Sequence, residues 1–300
     1  MNKEEISQMV AEILSSMQLP EPQVKGADYK PTQPVRDRQF GSAQPGEFVP
    51  DISELDLRKL YQVENPKDKE GFLRLKAMTP ARLGTGRAGP RYNTVSMLRF
   101  RADHAAAQDS VFAVLPEDFG EENGLVAVKT RCENREQYLT RPDLGRCFDE
   151  KTAEKIRREL PQKPVVQLVI GDGISCEAIR ANAIACAKSL EKSLKSKGIT
   201  LGKGLYVEFC RVGAGDAVGD ITGCEIVCVL VGERPGLVTN ESMSAYITYK
   251  PYTGIEESAR TVVSNIHHQG TTAEQAGEKI GELIEKMLKY KLSGVKLQNV

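Results

Sequence analysis

Apolar residues open the chain at Ile6, Met9, Val10, Ile13, Leu14 and Met17, spaced three and four apart, with Lys3, Glu4, Glu5, Gln8 and Glu12 between them. That period predicts an amphipathic helix within residues 1–19. Residues 20–50 then carry six of the fifteen prolines and few large aliphatics, a composition that predicts a flexible linker. A short helix on a tether has little stability by itself. Its apolar face is expected to meet something other than its own domain, with folding back onto the body as the alternative.

From Asp51 to about Leu115 the pattern predicts helices. Ile52, Leu55, Leu57 and Leu60 begin them, and Val95, Leu98, Ala102, Ala105, Phe112 and Leu115 form a stripe over the last one. After Asp118 the period changes. Leu125–Lys129 reads as a short strand, followed by a charged, turn-rich connection and a helix over about Asp149–Leu160. Val165–Ile170 is a run dense in β-branched residues, the mark of a strand buried on both faces. Ile179, Ala183, Cys186, Ala187, Leu190 and Leu194 follow it as a helical stripe, and Leu205–Val212 reads as the next strand. Strand, crossover helix, strand forces a parallel sheet.

Ile226–Val231 is the most apolar run of all and stops at Gly232-Glu233-Arg234-Pro235-Gly236. In open α/β sheets, ligands bind beyond the carboxyl ends of the strands, which makes Glu233 and Arg234 candidates for a binding site. Met243–Tyr249 alternates like a further strand, and Thr271 with Glu274 has capping-box spacing ahead of a closing helix. The expected fold is α/β: a Rossmann-like, largely parallel sheet with flanking helices over residues 118–300. A small, mostly helical N-terminal domain over 51–117 and the tail of 1–50 precede it.

Composition narrows the function. Forty-one basic residues balance forty-one acidic ones, leaving none of the cationic excess that nucleic-acid binding requires. No apolar run approaches the roughly 20 residues of a membrane span, and no stretch has the order of a signal peptide. Seven cysteines without C-x-x-C spacing point to reduced thiols in a cytosolic protein, and away from a zinc site or a disulfide framework.

Three local features invite a catalytic or cofactor reading. Gly84, Gly86 and Gly89 spell G-x-G-x-x-G, but Thr79-Pro80 precedes them and Pro90 follows, where a dinucleotide fingerprint needs a buried strand before and a helix after. An exposed basic turn with Arg82, Arg87 and Arg91, and Arg99 further on, touching an anionic group or a partner, is expected instead. Asp103-His104 pairs a carboxylate with a histidine, yet no nucleophile stands at a readable spacing, so a structural or interface role is preferred. His267, in Asn265-Ile266-His267-His268-Gln269-Gly270, differs from D-x-H-x-x-G at its first residue. A ligating histidine is normally oriented by a carboxylate, which Asn265 does not supply, so a loop or interface histidine is preferred over a metal ligand.

Several strings together resemble one family: Thr85-Gly86-Arg87-Ala88-Gly89-Pro90-Arg91, Ala102-Asp103-His104, Tyr138–Arg146, Val231–Leu237 and Ser264-Asn265-Ile266-His267. Their order and spacing, from about residue 52 onward, are similar to the small (light) subunit of ethanolamine ammonia-lyase. The resemblance implies an adenosylcobalamin enzyme converting ethanolamine to acetaldehyde and ammonia. It implies a large barrel subunit that binds substrate and carries the radical chemistry, and a small subunit that holds base-on cobalamin from below. The family's cobalamin contacts fall on Val212, Glu233 and Val262, the last a position where the family can carry cysteine. No catalytic residue and no metal ligand are assigned to this chain. The resemblance also implies loading into a bacterial microcompartment, with residues 1–19 meeting shell proteins. The α/β sheet alone leaves a nicotinamide-dependent oxidoreductase as the alternative, and the tethered helix leaves a pure scaffold.

Overall fold

The computed structural model describes residues 51–299, so the expected helix and linker within residues 1–50 lie outside the described residues. In chain order the elements are α1 (Lys69–Ala77), β1 (Arg87–Ala88), β2 (Arg91–Tyr92), α2 (Thr94–Phe112), α3 (Phe119–Glu122), β3 (Val126–Lys129), α4 (Arg135–Thr140) and α5 (Glu150–Glu159). They continue as β4 (Val166–Gly171), α6 (Cys176–Ser196), β5 (Leu205–Glu208), α7 (Ala214–Thr222), β6 (Ile226–Gly232), β7 (Met243–Tyr249), β8 (Arg260–Ile266), α8 (Ala273–Tyr290) and α9 (Val295–Gln298).

A six-stranded sheet runs in the order β3-β5-β4-β6-β7-β8. The first four strands in that order pair in parallel, and β7 and β8 add antiparallel at one edge. The side-chain record follows from this order. β4 and β6 lie in the interior of the sheet and are buried at every position, which is why they read as nearly unbroken apolar runs. The helices form two layers. α6 and α8 pack together on one face over Ile179, Ala183, Leu190, Ile280 and Ile284, while α5 and α7 cover the other face of the parallel strands with Ile156, Ala214 and Val218.

The structure corrects several expectations. The strand expected over Leu205–Val212 ends at Glu208, because Phe209 takes a φ of 56° and the Cys210 N–H turns to the Asp172 carboxylate at 2.9 Å. The closing helix is capped by Thr272 and Gln275, whose side chains and backbone bond reciprocally, one residue beyond the expected pair. Ile52, Leu55, Leu57 and Leu60 build only a short 3-10 turn at Ile52–Glu54, not a helix. Over Thr94–Leu115 the expected stripe is split: Leu115 is buried and Val95 and Ala102 are half-buried, while Leu98, Ala105 and Phe112 face outward. Ser96 and Ser110 are the buried residues of α2, while Leu98 and Phe112 are 49% and 66% exposed. Ser96 donates to the Thr85 carbonyl at 2.8 Å and Ser110 accepts from the Asn240 side chain at 2.7 Å, so hydrogen bonds seat this helix on the body.

Candidate functional site

The carboxyl ends of the parallel strands are drawn tightly together. Gly173, just beyond β4, has a φ of +63°, and a Cβ on it would lie 2.3 Å from the Gly232 carbonyl at the end of β6. A Cβ on Gly232 would lie 2.1 Å from the Ser175 carbonyl. Only glycine permits this approach, and the Ile174 N–H closes it with a 3.1 Å bond to the Gly232 carbonyl. Glu233 is the first side chain to emerge beyond the closure.

Its carboxylate is held at the start of β7 and from β8. Ser242 Oγ donates to Oε2 at 2.7 Å, Ser244 Oγ donates to Oε1, and the Asn265 backbone N–H reaches Oε1 at 3.5 Å. The loop from Glu233 to Ser242 is braced from both sides. Ser175 and Asn182 donate to the carbonyls of Asn240 and Glu241, and Arg82 donates to the Leu237 carbonyl at 3.0 Å. Between this loop and residues 53–58 and 77–82 lies a cavity of about 930 Å³, lined also by Arg99, Asn265 and His267.

Register places the other two expected contacts. Val262 on β8 lies opposite Tyr246 on β7, which lies opposite Val229 on β6. Ser244 and Tyr246 point to the α7 side of the sheet, where Tyr246 packs against the same core layer as Val212, the residue just before the Gly213 cap of α7. The helices that pack on β7 and β8 are α6 and α8, on the opposite side. On the α7 side Val262 is therefore 46% exposed. Burial, then the nearby charges of Glu233 and Glu257, push the Tyr246 hydroxyl above its ordinary pKa, with Arg260 opposing. Glu233, Tyr246 and Val262 thus share one sheet face, and Val212 packs on the core layer of that same side. Glu233 alone of the expected contacts also lines the large cavity.

The remaining candidates separate. Gly84 and Gly86 lead into an exposed hairpin, β1–β2, whose turn is Gly89-Pro90, and no buried strand precedes it among the described residues. Two of the four arginines grouped with it meet an anionic group within this chain. Arg82 and Arg99 both pair with Asp103, at 2.5 and 2.9 Å, and Arg87 stacks over Tyr92. His104 is exposed and stacks on Phe100. His267 is buried at the cavity wall, where its Nδ1 accepts the Gln269 N–H at 3.2 Å. Burial and then His268 hold its pKa below the ordinary imidazole value, against the pull of Glu233 and Glu241.

Ser242, Ser244 and the Asn265 N–H were not singled out by sequence. The alternation of Met243–Tyr249 did carry a signal, since it sets Ser244, Tyr246 and Thr248 on one face as a polar stripe.

A sequence profile of the family described as ethanolamine ammonia-lyase light chain matches residues 69–298. The ethanolamine ammonia-lyase small subunit of Clostridium perfringens is 49% identical over 301 residues, covering 99% of this chain and 100% of that protein. The corresponding subunit of Clostridioides difficile is 54% identical over 250 residues, 83% of this chain and 85% of its own length. That of Listeria monocytogenes is 47% identical over 298 residues, 99% of this chain and 100% of its own. With a strand-end site and similarity over nearly the whole length, the chain belongs to the ethanolamine ammonia-lyase light-chain family.

Proposed function

We propose that this chain acts as the small subunit of an ethanolamine ammonia-lyase, a carbon–nitrogen lyase that converts ethanolamine to acetaldehyde and ammonia, and that it holds the lower side of base-on adenosylcobalamin against the large catalytic subunit. The observation that carries the reading is Glu233: a carboxylate fixed at the end of a central strand, beside an open face with Tyr246 and Val262. A corrin is a broad apolar disc rimmed with amides, so it calls for apolar surface with a few fixed polar groups. In this reading Glu233 accepts a hydrogen bond from an amide or hydroxyl of the cofactor, and Val212 and Val262 pack against it. When bound, the cofactor supplies the radical chemistry, and this chain contributes binding and orientation. The sheet is read as a Rossmann-like cobalamin-binding domain over 118–300.

Residues 1–19 are read as the segment that meets microcompartment shell proteins, placing the enzyme inside a bacterial microcompartment. Deleting them should leave catalysis in free solution intact and abolish encapsulation; loss of activity in solution would sink that part of the reading. Among the described residues, no helix is long and apolar enough to cross a membrane. The glycine motif leads into an exposed hairpin over Arg87–Tyr92, which removes the argument for a nicotinamide site.

The test is co-expression with a large subunit, purification, and an assay of ethanolamine-dependent acetaldehyde with and without adenosylcobalamin. Activity that needs both chains and the cofactor supports the proposal. Activity of the large subunit alone, with unchanged cofactor affinity, overturns it.

A further inference from the structure

Glu233 sits where a ligand-facing carboxylate is expected, yet a glutamate side chain left to itself samples many rotamers and loses that freedom on binding. The structure removes much of that cost in advance. Ser244 stands on β7, an internal strand hydrogen-bonded along both edges, Ser242 immediately precedes that strand, and both serines are buried. Each hydroxyl carries a single hydrogen and donates it to a different carboxylate oxygen.

Acceptor accounting shows what remains. A carboxylate oxygen has room for about two donors. Among the described residues, Oε1 takes Ser244 Oγ and, at 3.5 Å, the Asn265 N–H, whereas Oε2 takes Ser242 Oγ alone. Among the described residues, no Lys, Arg or His forms an ion pair with Glu233, so neutral donors hold it and it keeps acceptor capacity for a further group.

Resting on the reading of Glu233 as a cofactor contact, we infer that Ser242 and Ser244 are positioning residues, which lock the Glu233 carboxylate so that the second acceptor position of Oε2 takes one amide N–H or hydroxyl from the cofactor. The serines act through Glu233 and touch no cofactor themselves. The ligand must therefore present a donor at this point, and an isosteric ligand with an ester or carboxylate there is rejected.

The experiment is a cycle in the complex of both chains, read as the dissociation constant of cyanocobalamin by absorbance titration, which needs no turnover. The variants are Ser242→Ala with Ser244→Ala, Glu233→Ala, and all three together. The serine pair should weaken binding about tenfold, the size expected for lost hydrogen bonds to a charged group. Glu233→Ala should weaken it at least as much, and the triple variant should match Glu233→Ala, because residues that act only through Glu233 have nothing to add once it is gone. Wild-type affinity in the serine variant, with Glu233→Ala still weakened, overturns the positioning role alone. A further loss on adding the serine changes to Glu233→Ala also overturns it. Unchanged affinity in Glu233→Ala overturns the underlying contact and the inference with it. Melting of each complex separates these results from misfolding. If Ser244→Ala disturbs β7, Ser242→Ala alone, at the cavity wall, carries the same cycle.

Discussion

Arg260 on β8 and Asp216 on α7 form a two-point ion pair, with Nη1 and Nη2 each meeting one carboxylate oxygen at 2.7 and 2.8 Å. The pair is almost wholly buried, with side-chain exposures of 3% and 5%. It joins the helix that begins just after Val212 to the strand that carries Val262, so it fixes the spacing across the proposed cobalamin face. Glu257 adds a second partner to Arg260 at 2.7 Å but is itself 75% exposed. Removing one partner of a buried pair leaves a charge without compensation, whereas an exposed partner is replaced by water. Asp216→Ala should therefore destabilise by about 3 kcal/mol and Glu257→Ala by no more than about 1 kcal/mol. Urea unfolding of both variants checks this, and equal losses would contradict it.

How much of this was legible in the sequence follows from what each residue contacts. Ile226–Val231 declared itself because both faces of β6 are covered, so every position had to be apolar. Glu233 was legible as the first charge after that run. β8 was not, because its burial alternates irregularly and its Arg260 is buried only through a partner 44 positions away in sequence. α7 was hidden for a related reason: Gly213 and Gly215 read as the break after a strand, yet a Cβ at Gly215 would meet Val229 at 2.4 Å and one at Gly219 would meet Pro251 at 2.6 Å. Close packing against β6 and the segment after β7, not helix propensity, demands Gly215 and Gly219. The antiparallel edge, where the open face lies, depends on that nonlocal pairing.

The pH response of Asp172 offers a second prediction. This carboxyl is fully buried at the end of β4, and burial pushes its pKa up to about 6, against the backbone donors Cys210 and Phe209 and the Arg135 guanidinium at 3.6 Å. A carboxyl whose pKa is raised by folding binds its proton more tightly in the folded state. Its stabilising contribution is complete below the unfolded value of 3.8 and is lost as pH rises through about 6. Asp172→Asn keeps an acceptor for the Cys210 N–H and removes the titration. The melting temperature of the wild-type complex relative to this variant should fall between about pH 4 and 6 and level off above about 7. A difference that is flat, or that rises with pH, would show that Asp172 is not the buried acid described.

The outward stripe of α2 predicts an interface. Leu98, Ala105 and Phe112 recur every seven residues on one side of the helix and are exposed, and Val114 beyond its end is 67% exposed. Apolar surface gathered on one helix face is characteristic of a partner contact. Membership of a light-chain family supplies the partner, the large subunit. Leu98→Asp with Phe112→Asp should leave the melting of the isolated chain nearly unchanged, since neither side chain is in the core. It should weaken association with the large subunit by at least about tenfold. Sedimentation velocity of the mixed chains measures this, and undiminished co-sedimentation would assign the stripe to some other contact.

Val262 discriminates a binding role from a structural one most simply. It is nearly half exposed on edge strand β8, and its neighbour across the ladder, Tyr246, packs against the core without it. Exposed edge positions tolerate substitution within about 0.5 kcal/mol, so Val262→Cys and Val262→Asp should both fold and melt much like the wild type. Their effect on cobalamin should differ. A thiol retains a small apolar surface, while a carboxylate carries its hydration shell into a contact that must dehydrate. Val262→Cys should bind cyanocobalamin within about twofold of wild type, and Val262→Asp should lose at least about tenfold. If both variants bound equally well, the cofactor would lie elsewhere on the sheet, and the cavity beside Glu233 would become the place to look for it. If Val262→Asp failed to fold, β8 would be far less tolerant than its exposure implies, and Val262→Ser, which adds polarity without charge, would decide between the two.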